Sequence, residues 1–230
     1  MKRVLLVTIL VACSLVVATL VSADPERISA SKHDLSVTGL ITDRALTETR
    51  VCVFCHTPHN AAPAVPLWNR TMSSATYQVY EGMDLEITPE QPTSANHFAS
   101  AACLSCHDGT VAVNSLVNDP VGGTPAMGSG NELTAEFKLA STSYAYLGED
   151  LRNDHPIAFN YDTAAAGDAE IDTRANAEAA GVGFFGTGGD QMECASCHDV
   201  HKPGQTSDGD APFLVRSNDA SGLCLACHIK

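Results

Sequence analysis

Residues 52–59 read Cys-Val-Phe-Cys-His-Thr-Pro-His, and residues 194–201 read Cys-Ala-Ser-Cys-His-Asp-Val-His. The shared C-x-x-C-H core occurs twice more, at residues 103–107 and 224–228. The chain has nine cysteines, and the four copies use all of them except Cys13. Because one short pattern accounts for almost every cysteine, this pattern decides what the chain folds around.

The C-x-x-C-H pattern is typical of covalent c-type haem attachment. Two thiols three residues apart lie on one side of a helical turn and can both add to the vinyl groups of one porphyrin. The adjoining histidine is then held under the iron. We therefore expect four haem c groups attached through Cys52, Cys55, Cys103, Cys106, Cys194, Cys197, Cys224 and Cys227. The expected proximal ligands of the four irons are His56, His107, His198 and His228.

Paired cysteines have two other interpretations. Eight thiolates can form two zinc sites, and an exported chain can form disulfides. Neither alternative explains why a histidine follows the second cysteine in all four copies.

Five of the nine histidines remain as candidate distal ligands for four irons. His59 and His201 each follow a proximal histidine by three residues, which is too close to reach the far face of the same haem. Each is expected to reach the iron of an adjacent haem instead. His33 and His155 complete the expected distal set, and His97 is the spare candidate.

Methionine ligation is the alternative to this bis-histidine arrangement, and it would raise the reduction potentials. The methionines outside the leader are more typical of gap-filling core residues; they are Met72, Met83, Met127 and Met192. Bis-histidine ligation leaves no open iron coordination position, so we expect an electron-transfer protein and not an enzyme.

The N-terminus has the pattern of a signal peptide. Lys2 and Arg3 precede an apolar run over residues 4–21, and small residues precede Asp24. We expect residues 1–23 to be removed, leaving residues 24–230 as one exported tetrahaem cytochrome c domain. An uncleaved anchor and a lipoprotein lipidated at Cys13 are the alternatives. No later segment is long and apolar enough to span a bilayer, so no stable membrane insertion is expected after cleavage.

Composition narrows the class of protein further. The chain has 230 residues and a net charge of −14, and this sign opposes nucleic-acid binding. Aromatic residues make up only 6% of the chain, which is little for a protein core. We expect a mostly irregular fold with short helices at the motifs and little or no β-sheet, wrapped around the haems. We also expect a surface loop over residues 120–131, a helix over residues 168–180, and an N-glycosylation sequon at Asn69.

The motifs and their flanking residues resemble those of bacterial multihaem cytochromes, and specifically the tetrahaem, filament-forming extracellular cytochromes of the OmcE type. The resemblance rests on residues 52–61, 103–110, 154–157 and 33–35. It implies bis-histidine haems stacked continuously along a filament, with one distal histidine donated by a neighbouring subunit. His33 is the expected donor, because it lies near the mature N-terminus.

The resemblance favours a filament subunit that conducts electrons outside the cell, by self-association and contact with redox proteins or extracellular acceptors. A soluble, monomeric periplasmic electron carrier is the second hypothesis. A membrane-anchored tetrahaem quinol dehydrogenase that keeps residues 4–21 is the third. The expected location is extracellular or on the cell surface, with the periplasm second.

Overall fold

The computed structural model describes residues 26–29, 31–61, 67–82, 87–202 and 213–229. The expected signal peptide, Cys13 and Met83 lie outside the described residues. Most of the described backbone is irregular, with short helices and a single two-stranded sheet. Within these ranges, no helix has the length and apolar character needed to cross a membrane.

The helical segments are short and widely separated. The α-helices are α1 (Glu26–Ser29), α2 (Phe98–His107), α3 (Tyr161–Gly167), α4 (Arg174–Ala179) and α5 (Cys194–Cys197). Three 3-10 helices cover Val51–Phe54, Asp219–Ser221 and Cys224–Ala226. Strands β1 (Phe159–Asn160) and β2 (Gln191–Met192) pair antiparallel, with Phe159 opposite Met192.

The helix predicted over residues 168–180 forms only in its second half, so that prediction is partly wrong. Asp168 ends α3, and its carboxylate accepts a hydrogen bond from the Glu170 amide at 2.8 Å, which favours a turn. Helix α4 begins after Thr173, whose side chain accepts from the Asn176 amide. Gly181, with φ of 98°, ends the helix as expected.

The described core consists of three small apolar clusters instead of one continuous layer. One surrounds the two-stranded sheet and contains Phe159, Tyr161, Ala164, Ala177, Val182, Met192 and Ala226. The second contains Ala45, Phe54, Val113 and Met127, and the third contains Tyr77, Leu104 and Leu151. Met127 and Met192 are therefore core residues, as the composition predicted.

Each C-x-x-C-H motif is anchored by the residue just before its second cysteine. That residue is buried in every copy, with exposures of 1% for Phe54, 0% for Ser105, 0% for Ser196 and 4% for Ala226. Burial of this one position holds the motif backbone against the protein interior. The cysteines themselves are half-buried or exposed, and Cys52 and Cys224 are the exposed ones.

Candidate haem sites

All four motifs form helical turns, which confirms the predicted short helices around them. The first and fourth motifs lie in 3-10 helices, the second ends α2, and the third forms α5. The amide of the proximal histidine donates to the carbonyl of the first cysteine at 2.8 Å for His56, 3.1 Å for His198 and 2.9 Å for His228. This bond closes the turn that sets the spacing between the two thiols and the histidine.

Three of the motifs leave the turn in the same way. The proximal histidine forms an isolated antiparallel bridge with a residue distant in sequence, and the pairs are His56 with Trp68, His198 with Leu214, and His228 with Ile171. In each bridge the carbonyl of the second cysteine accepts from a backbone amide, at 2.9 Å for Cys55 and Cys197 and 2.8 Å for Cys227. The bridge fixes the backbone on both sides of the histidine and therefore limits where its ring can point.

Three pairs of histidine rings carry the geometry of the site. The ring centroids are 6.0 Å apart for His33 and His107, 6.2 Å for His56 and His201, and 6.4 Å for His155 and His228. Every pair joins one expected proximal ligand to one expected distal ligand.

This spacing fits an iron between the two rings. A metal–imidazole bond is about 2 Å long and the bonded nitrogen lies roughly 1 Å from the ring centre, so two rings on opposite sides of one metal are roughly 6 Å apart. The residues present therefore fit a bis-histidine haem at three of the four motifs.

Backbone carbonyls accept a hydrogen bond from the Nδ1 of two of these rings. Nδ1 of His107 lies 2.7 Å from the Ala145 carbonyl oxygen, and Nδ1 of His155 lies 2.8 Å from the Pro156 carbonyl oxygen. A carbonyl only accepts, so Nδ1 donates in both residues, and Nε2 is the ring nitrogen left to bind a metal. A hydrogen bond of this kind orients a histidine whose other nitrogen binds a metal.

The surroundings of His33 favour the neutral ring. Burial, together with smaller effects of the nearby His107, His198 and His201, lowers the pKa of His33 to about 4. A neutral imidazole is the form that binds a metal. The His33 ring lies beside His107 of its own chain.

The remaining distal and proximal candidates are His59 and His198. His59 is exposed, and its carbonyl accepts from the Thr57 hydroxyl at 3.0 Å. Among the described residues no ring contact to His59 is present. His198, the proximal histidine of the third motif, lies near enough to His33 to influence its pKa.

His97, the spare candidate, has a different environment from the other histidines. Its side chain is 3% exposed, and Nδ1 lies 2.6 Å from Oε1 of Glu193, which is 1% exposed. Ser100 donates to the other carboxylate oxygen of Glu193. His97 therefore connects the start of α2 to the residue that precedes α5.

The attachment sites adjoin one another in chain order. Cys106 packs against the apolar cluster that contains Phe54, which joins the second motif to the first. The Cys194 amide donates to the Ser100 hydroxyl of α2 at 3.0 Å, which joins the third motif to the second. Ala226 and Met192 belong to one apolar cluster, which joins the fourth motif to the third. The four motifs therefore form a continuous series from the first to the fourth.

The eight motif cysteines are all free thiols in the structure. Among the described residues, which include all eight, no group of three or more His, Cys, Asp or Glu side chains is arranged to hold a metal ion directly. Neither the disulfides nor the zinc geometry of the alternative interpretations is present in these residues.

The structure shows an internal repeat that extends beyond the C-x-x-C-H-x-x-H pattern of residues 52–59 and 194–201. After the first and third motifs, Leu67 and Phe213 adopt left-handed backbone with φ of 60° and 68°, and the next residue forms the bridge to the proximal histidine. An arginine follows two residues later in both copies, as Arg70 and Arg216. The signal was available in the sequence as Pro-Leu-Trp-Asn-Arg at 66–70 and Pro-Phe-Leu-Val-Arg at 212–216.

Asn69, the first residue of the predicted sequon, is buried in the structure. Asn69 is 0% exposed, and its amide nitrogen donates to the carbonyl oxygens of Val53 at 2.8 Å and Asn118 at 3.2 Å. Asn69 therefore joins the first motif to the segment that contains Asn118 in the folded protein.

Comparison of the sequence with models of known protein families gives no match, and comparison with curated proteins gives no relative. The geometry above therefore carries the functional argument.

Proposed function

We propose that this protein is a tetrahaem c-type cytochrome that transfers electrons. The observation that carries the proposal is the common spacing of 6.0–6.4 Å between three proximal and three distal histidine rings. When bound, each haem supplies an iron that alternates between the ferric and ferrous states by one electron. The chain supplies two thiols and two imidazoles per iron and holds the four sites next to one another.

The ligand assignment follows from the ring pairs. The first iron takes His56 and His201, the second takes His107 and His33, and the fourth takes His228 and His155. The expected ligand set leaves His59 for the iron of His198. Two imidazoles per iron leave no position for a substrate, so the proposal is a carrier or conduit of electrons and not an enzyme.

The proposed context is a filament at the cell surface, inferred from the resemblance described above. Within that proposal, His59 replaces His33 as the ligand donated between subunits, because His59 is exposed and His33 faces its own chain. The exposed apolar residues Leu67 and Val117 lie in segments that adjoin His59. The Thr57 amide donates to the Leu67 carbonyl, and the Asn118 side-chain amide donates to the His59 and Asn60 carbonyls. Such a surface suits contact with a second subunit.

Electron microscopy of the haem-loaded protein sheared from expressing cells tests this context. Regular filaments in which His59 reaches the His198 site of the next subunit are the expected result. Discrete particles confined to the periplasmic fraction would instead indicate the soluble monomeric carrier. A mass for the N-terminal peptide that retains residues 4–21 would favour the anchored quinol dehydrogenase.

A further inference from the structure

Arg70 is a fully buried cation between the first two motifs. Its side chain is 2% exposed, and four of its five N–H groups donate to protein acceptors. These are the Ser105 hydroxyl at 3.0 Å and the carbonyl oxygens of Val113 at 2.6 Å, Ser105 at 2.9 Å and Ala112 at 3.1 Å. The guanidinium is therefore held rigidly.

None of these acceptors carries a negative charge. Among the described residues, no carboxylate lies within ion-pair distance of Arg70. Burial of a cation without a counter-ion is costly, although hydrogen bonds to neutral groups reduce the cost. An arginine also remains charged at every physiological pH, so its positive field is permanent.

The field of Arg70 reaches both neighbouring attachment sites. Arg70 lies beside the first motif, because the amide of the preceding Asn69 donates to the Cys55 carbonyl at 2.9 Å and Trp68 forms the bridge to His56. It contacts the second motif directly, because its guanidinium donates to the hydroxyl and the carbonyl of Ser105, the residue before Cys106. Arg70 therefore lies between the first and second motifs, and one charge acts on two sites.

We propose that Arg70 raises the reduction potentials of the first and second haem sites and makes them the higher-potential half of the protein. The inference rests on the proposed function. Reduction of a ferric iron adds one electron and removes one unit of positive charge from the site. A fixed cation nearby therefore favours the ferrous state, and the preference is stronger where water is excluded.

Arg216 is the counterpart of Arg70 in the second repeat and provides a comparison within one chain. Its Nη1 donates to the Ala180 carbonyl at 3.1 Å, and the amide of the preceding Val215 donates to the Cys197 carbonyl of the third motif at 2.9 Å. Arg216 is only half-buried, so water and salt screen its charge more than they screen that of Arg70. The third and fourth sites should therefore gain less from their arginine than the first and second gain from theirs.

Spectroelectrochemical titration of the exported, haem-loaded protein tests the proposal. Each midpoint measures a one-electron reduction of ferric iron, with the electron supplied by the electrode through mediators. Arg70→Gln should lower the two highest of the four midpoints, whereas Arg70→Lys, which keeps the charge, should leave them near the wild-type values. Arg216→Gln should give a smaller shift, confined to the two lower midpoints.

Two results would overturn the role of Arg70. The first is a haem-loaded Arg70→Gln protein whose midpoints do not move, and the second is an equal shift in Arg70→Lys, which would assign the effect to lost hydrogen bonds. If the Arg70→Gln protein does not load four haems, NMR of the partly reduced wild-type protein replaces that test. It assigns each measured potential to one of the four haems. Highest potentials at the third or fourth site would contradict the proposal. A wild-type chain without haem would instead contradict the proposed function.

Discussion

His201 lies opposite His56, with ring centroids 6.2 Å apart and ring planes 26° apart, although the two histidines belong to different attachment motifs. The trailing histidine of the third motif thus faces the proximal histidine of the first. One iron held between them would connect the two halves of the internal repeat. The prediction that the trailing histidine of the C-x-x-C-H-x-x-H pattern serves a neighbouring site requires a juxtaposition of this kind.

Replacement of His201 by alanine should open one coordination position out of four. The iron held by His56 then loses its second imidazole, and in the reduced protein it should bind carbon monoxide. The expected stoichiometry is about one carbon monoxide per chain, measured by absorbance titration.

His97→Gln is the matched control for this experiment, because His97 bonds to Glu193 and not to another histidine. The control should bind no carbon monoxide. Binding in the control, or its absence in His201→Ala, would contradict the ligand assignment.

Replacement of His155 by methionine should raise one reduction potential and leave the other three in place. His155 faces His228, so the change converts that site from bis-histidine to Met/His ligation, which has a higher potential. Redox titration of the purified protein measures the effect. Four unchanged midpoints would show that His155 is not an iron ligand.

The His97–Glu193 pair should make a large contribution to stability. Both side chains are buried, and removal of one partner of a buried ion pair costs about 3–5 kcal/mol. Glu193→Gln should lower the free energy of unfolding of the haem-loaded protein by about that amount, measured by denaturation in guanidinium. Combined with His97→Gln, the loss should be smaller than the sum of the single losses, because the two residues act on one interaction. Additive losses would contradict the pairing.

The same pair predicts the direction of a pH effect. Burial opposes protonation of His97, but the hydrogen bond and charge of Glu193, with a smaller effect of Glu90, raise the pKa of His97 above 6.5. The folded state therefore binds this proton more tightly than the unfolded state. The stabilisation should be complete below pH 6.5 and decline as the pH rises through the folded-state pKa. His97→Gln should flatten this decline in denaturation curves, and an unchanged slope would argue against a charged His97.

The local features of the fold were predictable because they depend on short-range chemistry. The helical turns around Cys52 and Cys194, and the buried methionines, follow from spacing and composition. The pairing of His33 with His107 was not predictable, because five candidate histidines remained for four irons and no local rule orders them.

Contacts between segments far apart in the sequence could not be predicted, because no local pattern marks the segments that form them. The bridge between His228 and Ile171 joins segments far apart in the chain, and neither segment has the alternating pattern of a strand. Arg70 also has the sequence signature of a surface residue, since arginine is rarely buried. The sequence feature that accompanies Arg70 is the Pro-x-x-x-Arg segment, which occurs at residues 66–70 and again at residues 212–216.

The intact mass of the exported protein, recorded under denaturing conditions, shows most directly whether the chain is a tetrahaem cytochrome c. We expect a chain cleaved before Asp24 that carries four covalently attached haems and has no thiol that reacts with iodoacetamide. A mass equal to the bare polypeptide, with eight reactive thiols, four disulfides or two bound zinc ions in the native protein, would contradict it.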